Sequence, residues 1–115
     1  MTQQNEFMLL FRFEPNENYQ PTPEEINASQ QQWGSYIGKM AMQEKFVSTC
    51  QLGFEGRQVT SDYSIKNTMY SSDNQIIGGN MIVKANSFEE ATAIAQECPI
   101  LHIGGSVEIR NIVPM

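Results

Sequence analysis

The sequence predicts an α+β fold, formed as one domain over residues 1–115. Three observations favour it. The chain has 115 residues, 40% of them hydrophobic, which is enough to bury one core. Short apolar runs with a period of two are typical of strands. Two Ser/Thr-x-x-Glu motifs open longer stretches with helical spacing, one in each half of the chain.

The first element is a strand at 6–13, in which odd and even positions form two faces. The odd face is entirely aromatic or aliphatic. The even face carries Met8, Leu10 and Arg12. Because both faces are largely apolar, we expect this strand to lie inside a sheet rather than at its edge.

A helix follows a proline- and asparagine-rich loop at 14–21. Thr22 can cap it, Pro23 fits its first position, and Glu25 completes a capping box. Apolar residues at helical spacing carry it to about residue 45. Gly34 and Gly38 lie four residues apart inside it, from which we expect a close approach of helix to sheet.

The middle of the chain is predicted to be β-rich. We expect a strand at 46–52, a hairpin formed by 56–60 and 63–69, a loop at 71–75, and a strand at 76–85. Ser87 to Glu90 is the second capping box, and Pro99 ends the helix that it opens. A turn at Gly104 and Gly105 leads into the last strand, at 106–113.

The element order is therefore β-α-β-(β-hairpin)-β-α-β, which is the ferredoxin-like βαββαβ plan with an inserted hairpin. This plan places both helices on one face of an antiparallel sheet. The uncovered face would carry Met8, Leu10 and Ile82 beside charged residues. Such a surface usually has a partner, so we expect homodimerisation through it.

Composition excludes several classes of function. Seven Lys and Arg stand against 13 Asp and Glu, with no basic cluster, which argues against nucleic-acid binding and against an anionic membrane surface. The longest apolar run, 7–11, is too short to span a bilayer. The first residues lack the features of a signal peptide, and we expect a cytoplasmic protein.

The cysteines and the single histidine do not predict a metal site, and no cofactor motif is present. Cys50 and Cys98 are far apart in sequence and each has apolar neighbours, so we interpret both as small buried side chains. His102 follows the end of the second helix, and we interpret it as a surface-loop residue rather than a proton shuttle.

A series of motifs extends along nearly the whole chain: Leu9-Leu10-Phe11-Arg12, Pro23-Glu24-Glu25, Trp33, Ile37-Gly38-Lys39-Met40, Gly78-Gly79, Ser87-Phe88-Glu89-Glu90-Ala91, Cys98-Pro99 and Gly104-Gly105-Ser106-Val107-Glu108-Ile109-Arg110. In this order the motifs resemble the YCII-related (DGPF-domain) family. The resemblance implies a dimeric α+β barrel, in which two ferredoxin-like sheets pack face to face. It also implies a family of mostly unassigned function, in which some members are linked to sigma factors and others are regarded as enzymes.

The sequence departs from that family in two places. At the position of the family's Asp-Gly-Pro-Phe signature this chain has Asn67-Thr68-Met69-Tyr70. In another branch of the family the proposed catalytic histidine lies in the first helix, whereas the first helix of this chain contains no histidine. Asn67 can orient a ligand or a water molecule but cannot act as a general base; the alternative is a role in a turn or strand end. Tyr70 is a candidate hydrogen-bond donor to the same pocket, with packing as the alternative.

The strongest candidate site is polar and lies on strands expected to be neighbours. Arg12 on the first strand and Glu108 and Arg110 on the last would share the open face. The two arginines would suit a carboxylate or phosphate. The alternative is an Arg12–Glu108 ion pair with a structural role only. Tyr36, on the first helix, is a candidate to line an opening beside Trp33.

Three functions remain open on the sequence alone. The first is a homodimer that binds a small anionic metabolite in a pocket at the open sheet face, between it and the first helix. The second is a dimeric-barrel enzyme, such as a lyase, an isomerase or a cofactor-free oxygenase acting on a small acidic or aromatic metabolite. The third is a regulatory interaction module without pocket chemistry. The missing histidine and the asparagine at position 67 favour the first.

Overall fold

The computed structural model describes residues 5–15 and 20–114. Within these ranges a 3₁₀ turn at Pro99–Ile103 lies between the second helix and the last strand. The remaining elements, in chain order, are β1 (Asn5–Phe13), α1 (Pro23–Met42), β2 (Phe46–Gln51), β3 (Gln58–Val59), β4 (Ile65–Lys66), β5 (Ile76–Ala85), α2 (Phe88–Gln96) and β6 (Ser106–Asn111).

The four long strands form one antiparallel sheet in the order β2-β5-β1-β6. This order and the element sequence confirm the ferredoxin-like plan. They also confirm that β1 is internal, since it pairs with both β5 and β6. Strands β3 and β4 pair only with each other and form the inserted hairpin. We call residues 56–69, which contain this hairpin, the arm.

The core lies between the sheet and the two helices. The odd-numbered side chains at 7–11 of β1 and at 81–85 of β5 face the helices and are almost fully buried. They contact apolar residues of α1, α2 and the 3₁₀ turn. Both helices therefore cover the same face, and the even-numbered positions of β1 form the uncovered one. The core residues are Phe7, Leu9, Phe11, Tyr36, Met40, Met81, Val83, Ala85, Ala91, Ile94, Ala95, Cys98 and Ile100.

Cys98 belongs to this core, as predicted, but Cys50 does not. The prediction that Cys50 is buried is wrong, because β2 is an edge strand and the residue is exposed. Its register partner is Asn80, an open-face position of β5. Apolar neighbours in sequence are a poor guide here, since they lie on strand positions that alternate between two different surfaces.

Helix α1 begins as predicted, with the Thr22 hydroxyl accepting a hydrogen bond of 3.1 Å from the amide of Glu25. It ends at Met42, about three residues before the predicted end. Glu44 has φ +59°, and the amide of Lys45 donates to the carbonyl of Met40 at 2.9 Å. This is a Schellman ending, which glycine usually marks in a sequence.

The expected close approach at Gly34 and Gly38 is wrong. A Cβ atom built on either glycine has no neighbouring atom within 4 Å. The close approaches occur elsewhere, in the sheet and the following turn. A Cβ on Gly79 would lie 2.7 Å from the carbonyl oxygen of Cys50, and one on Gly105 would lie 2.7 Å from that of Arg12.

Strand β5 contains a bulge opposite the end of β1. Phe11 pairs with Gly79, whereas Arg12 pairs with Ile77, so Gly78 is the extra residue. A Cβ on Gly78 would overlap the ring of Phe13. The bulge turns Ile77 toward the face that carries Arg12.

Candidate functional site

The strand register brings the three predicted charged residues together. In the β1–β6 pairing, Arg12 is opposite Ser106, Leu10 is opposite Glu108, and Met8 is opposite Arg110. Even positions on these antiparallel strands share the uncovered face. Arg12, Glu108 and Arg110 therefore meet there, and we call them the Arg–Glu–Arg cluster.

Glu108 lies between the two arginines and bonds to both. Arg12 donates from Nη2 to Glu108 Oε1 at 3.1 Å, and Arg110 donates from Nη1 to Glu108 Oε2 at 3.4 Å. Each carboxylate oxygen thus receives one of these two contacts. The side chains of Arg12 and Glu108 are 31% and 39% exposed, whereas that of Arg110 is 68% exposed.

Arg12 retains hydrogen-bonding capacity. Its Nε atom is buried and has no hydrogen-bond partner among the described residues. A buried donor without a partner costs about 1–3 kcal/mol. The cluster as a whole has a formal charge of +1, because two guanidinium groups surround one carboxylate.

The surroundings of the cluster combine polar and apolar groups. Ser106, opposite Arg12, donates from Oγ to Oε1 of Gln75 at 3.1 Å. On the neighbouring strand β5, Ile77 lies opposite Arg12 because of the bulge. The sequence analysis did not predict Gln75 or Ile77 as neighbours of the cluster. The position of Ile77 depends on the bulge, and the only sequence signal for a bulge is the adjacent pair Gly78 and Gly79. Half-buried Met8, Leu10 and Ile82 continue the open face.

Tyr36 is not part of this site. It is 7% exposed and belongs to the core on the helix-covered face. Its hydroxyl donates to the carbonyl oxygen of Ile94 at 2.7 Å. Trp33 contacts it in an edge geometry, with ring centroids 6.1 Å apart. Because α1 packs on the covered face, Tyr36 and the open face lie on opposite sides of the sheet.

Asn67 and Tyr70 lie at the base of the arm, and both are exposed, Tyr70 to 70%. Asn67 lines a shallow depression of about 380 Å³ together with Phe54 and Arg57. A second depression, of about 340 Å³, lies on the side of Glu14 and Asn74. Neither depression is lined by a member of the Arg–Glu–Arg cluster.

The described residues also bear on whether the chain could hold a metal ion and whether one of its helices could cross a membrane. Across 5–15 and 20–114, no three His, Cys, Asp or Glu side chains come together in a way that could hold a metal ion. His102 is exposed in the 3₁₀ turn. Among the helices of these ranges, none combines the length and the apolar character needed to cross a membrane.

The comparisons with known proteins place the chain in a family. The sequence matches none of the curated proteins. The family model of the YCII-related domain matches residues 6–115, which is nearly the whole chain. The match includes both strands that carry the Arg–Glu–Arg cluster and the arm between them. The protein therefore belongs to the YCII-related domain family.

Proposed function

We propose that this protein is a homodimer that binds a small anionic metabolite at the open face of its sheet. Arg12 and Arg110 are the anion-binding groups in this proposal. One observation carries it: two guanidinium groups converge on the single carboxylate of Glu108, and each uses one nitrogen for that contact. Guanidinium groups with free donors suit planar anions such as carboxylates.

The charge distribution supports an anionic ligand. The chain has a formal charge of −6, which repels anions in general. The cluster is a local exception, with a charge of +1 on adjacent strands. An anion that reaches it gains a local attraction, which is stronger the more the site is shielded from water.

The open face supports the homodimer. Met8, Leu10 and Ile82 are apolar and only half-buried, although they lie near the middle of a four-stranded sheet. A second copy packed on this face would bury them and shield the cluster from water. The binding pocket would then lie between two sheets, rather than between one sheet and α1.

The remaining candidate residues have different standing in this proposal. Asn67 and Tyr70 are kept as additional ligand contacts, because both side chains are exposed. Tyr36 is left out, because its hydroxyl already bonds to the carbonyl of Ile94 inside the core. Glu108 orients the two arginines through one contact to each.

The test is calorimetric titration with benzoate as the anionic probe at neutral pH. We expect Arg12→Ala to weaken benzoate binding about tenfold or more, because a charge-assisted hydrogen bond is lost. Lys39→Ala is the control, since Lys39 is an exposed cation on α1, which packs on the covered face of the sheet. An affinity that is the same in Arg12→Ala and in the wild type would contradict the proposal.

A further inference from the structure

We infer that Glu108 makes this site selective for ligands with a single negative charge, such as monocarboxylates, over dicarboxylates and phosphate dianions. The inference rests on the proposed function and goes beyond it by naming the charge class of the ligand. Its starting point is the position of Glu108, which contacts Arg12 with one oxygen and Arg110 with the other.

The first step concerns charge. Two arginines and one glutamate sum to +1, so a monoanion brings the occupied site to neutrality. A dianion brings it to −1, inside a chain that already carries −6. An unbalanced charge in a site of reduced dielectric is unfavourable. The cluster therefore matches one negative charge better than two.

The second step concerns other charges on the same face. Glu6 and Lys84 lie directly opposite each other in the β1–β5 register, so their charges cancel. They lie at the far end of β1 from Arg12. Lys45 pairs with Glu90 at 2.9 Å beside α2. These groups leave the charge of the site set by the Arg–Glu–Arg cluster.

The third step concerns available donors. An arginine has five N–H groups. The contacts between Glu108 and each arginine use one nitrogen of Arg12 and one of Arg110, and Arg110 is largely exposed. A ligand carboxylate can therefore bind to the outer donors while Glu108 stays in place. Glu108 then acts as a fixed counter-charge that remains in the occupied site.

The experiment compares two probes with the same ring, benzoate and benzene-1,3-dicarboxylate, by calorimetry at neutral pH and constant ionic strength. The wild type is expected to bind benzoate more tightly. Glu108→Gln keeps the shape of the side chain and raises the cluster charge to +2. We expect it to shift the ratio of affinities toward the dicarboxylate by about tenfold, the effect of one added charge at close range.

Arg110→Gln is the matched reciprocal variant. It lowers the cluster charge from +1 to 0, so it should shift the ratio further toward benzoate. Circular dichroism and thermal unfolding establish that each variant is folded. If Glu108→Gln does not fold, Arg110→Gln tests the same inference with the opposite sign.

The outcomes separate this inference from the proposed function. Benzoate binding that needs Arg12, with the same ratio in wild type and in the folded charge variants, would overturn the inference alone. Failure of both probes to bind the wild type would overturn the proposed function and the inference with it. A ratio of affinities that shifts toward the dicarboxylate in Glu108→Gln and toward benzoate in Arg110→Gln supports the inference and the proposed function.

Discussion

At the scale of single residues, Tyr36 and Cys98 form a buried pair between the sheet and the helices. Cys98 has no exposed surface, and burial raises the pKa of its thiol from 9.0 to about 11. Burial also raises the pKa of Tyr36, with smaller contributions from Cys98 and Glu97. Both groups are acids whose neutral form is favoured in the folded protein.

This pair predicts a loss of stability at alkaline pH. An unfolded chain releases the thiol proton near pH 9, whereas the folded chain keeps it until about pH 11. The unfolded state therefore binds fewer protons in this interval, and the free energy of unfolding falls as pH rises. Urea unfolding between neutral pH and pH 11 measures the slope. Cys98→Ala should make it shallower, whereas Cys50→Ala, at an exposed cysteine, should not. Parallel profiles for wild type and Cys98→Ala would contradict the prediction.

Residue placement can be predicted from sequence where strand parity decides it. Arg12, Glu108 and Arg110 are predicted to share one face because alternate strand positions share a face and β1 and β6 are neighbours. Tyr36 cannot be placed in the same way. Tyrosine is amphipathic, so it can lie either in the core or at the surface. Which of the two applies to Tyr36 depends on the rotation of α1 about its axis, and the neighbouring residues do not determine that rotation.

At the scale of elements, α1 contains two glycines that lower its stability. Gly34 and Gly38 lie inside the helix, and a Cβ atom added to either would meet nothing within 4 Å. We expect Gly34→Ala and Gly38→Ala each to raise the free energy of unfolding by up to about 1 kcal/mol, because glycine loses more backbone entropy in a helix than alanine. Urea unfolding measures the effect.

The control for these variants is a glycine in the sheet. Gly79→Ala should destabilise the protein, because the new Cβ would lie 2.7 Å from the backbone oxygen of Cys50. A destabilising effect of alanine at position 34 or 38 would contradict the prediction for that position.

The sequence predicted the existence and order of the elements better than their ends. Strand β5 and the start of both helices coincide with their predicted positions. The arm hairpin is shorter than predicted, with strands at Gln58–Val59 and Ile65–Lys66. At its tip the Asp62 carboxylate accepts from the Ser64 amide and Tyr63 adopts φ +69°, so this part of the chain forms a turn. Local hydrogen bonds of this kind compete with strand pairing without altering the apolar pattern.

At the scale of the whole molecule, the described chain is a thin slab. It measures 48 × 43 × 20 Å, and its radius of gyration is 15.9 Å. A compact chain of this length would have a radius of gyration of about 13 Å. The shortest dimension equals about the combined thickness of one sheet and one layer of helices. The slab therefore has one face without a covering layer.

This shape predicts self-association through the uncovered face. We expect the wild type to elute as a dimer at micromolar concentration, with twice the chain mass of 13.0 kDa by light scattering. Ile82→Asp places a charge on the open face, where Met8 separates it from Arg110, and should give a folded monomer. Val59→Asp, at a 71% exposed position of the arm, is the control and should leave the dimer intact. A wild-type monomer would contradict the proposed homodimer.

The bulge at Gly78 has a consequence for insertions and deletions in this chain. It lets Ile76 reach the core at 4% exposure while Ile77 lies beside Arg12. Deletion of Gly78 would leave a regular ladder in which Ile77 is still opposite Arg12 and Ile76 is still opposite Phe13, so both isoleucines would keep their faces. A one-residue deletion at a regular position of a strand would instead move every side chain beyond it to the other face, because side chains alternate along a strand. The bulge therefore gives β5 a point at which the strand can lose a residue while Ile77 continues to border the site.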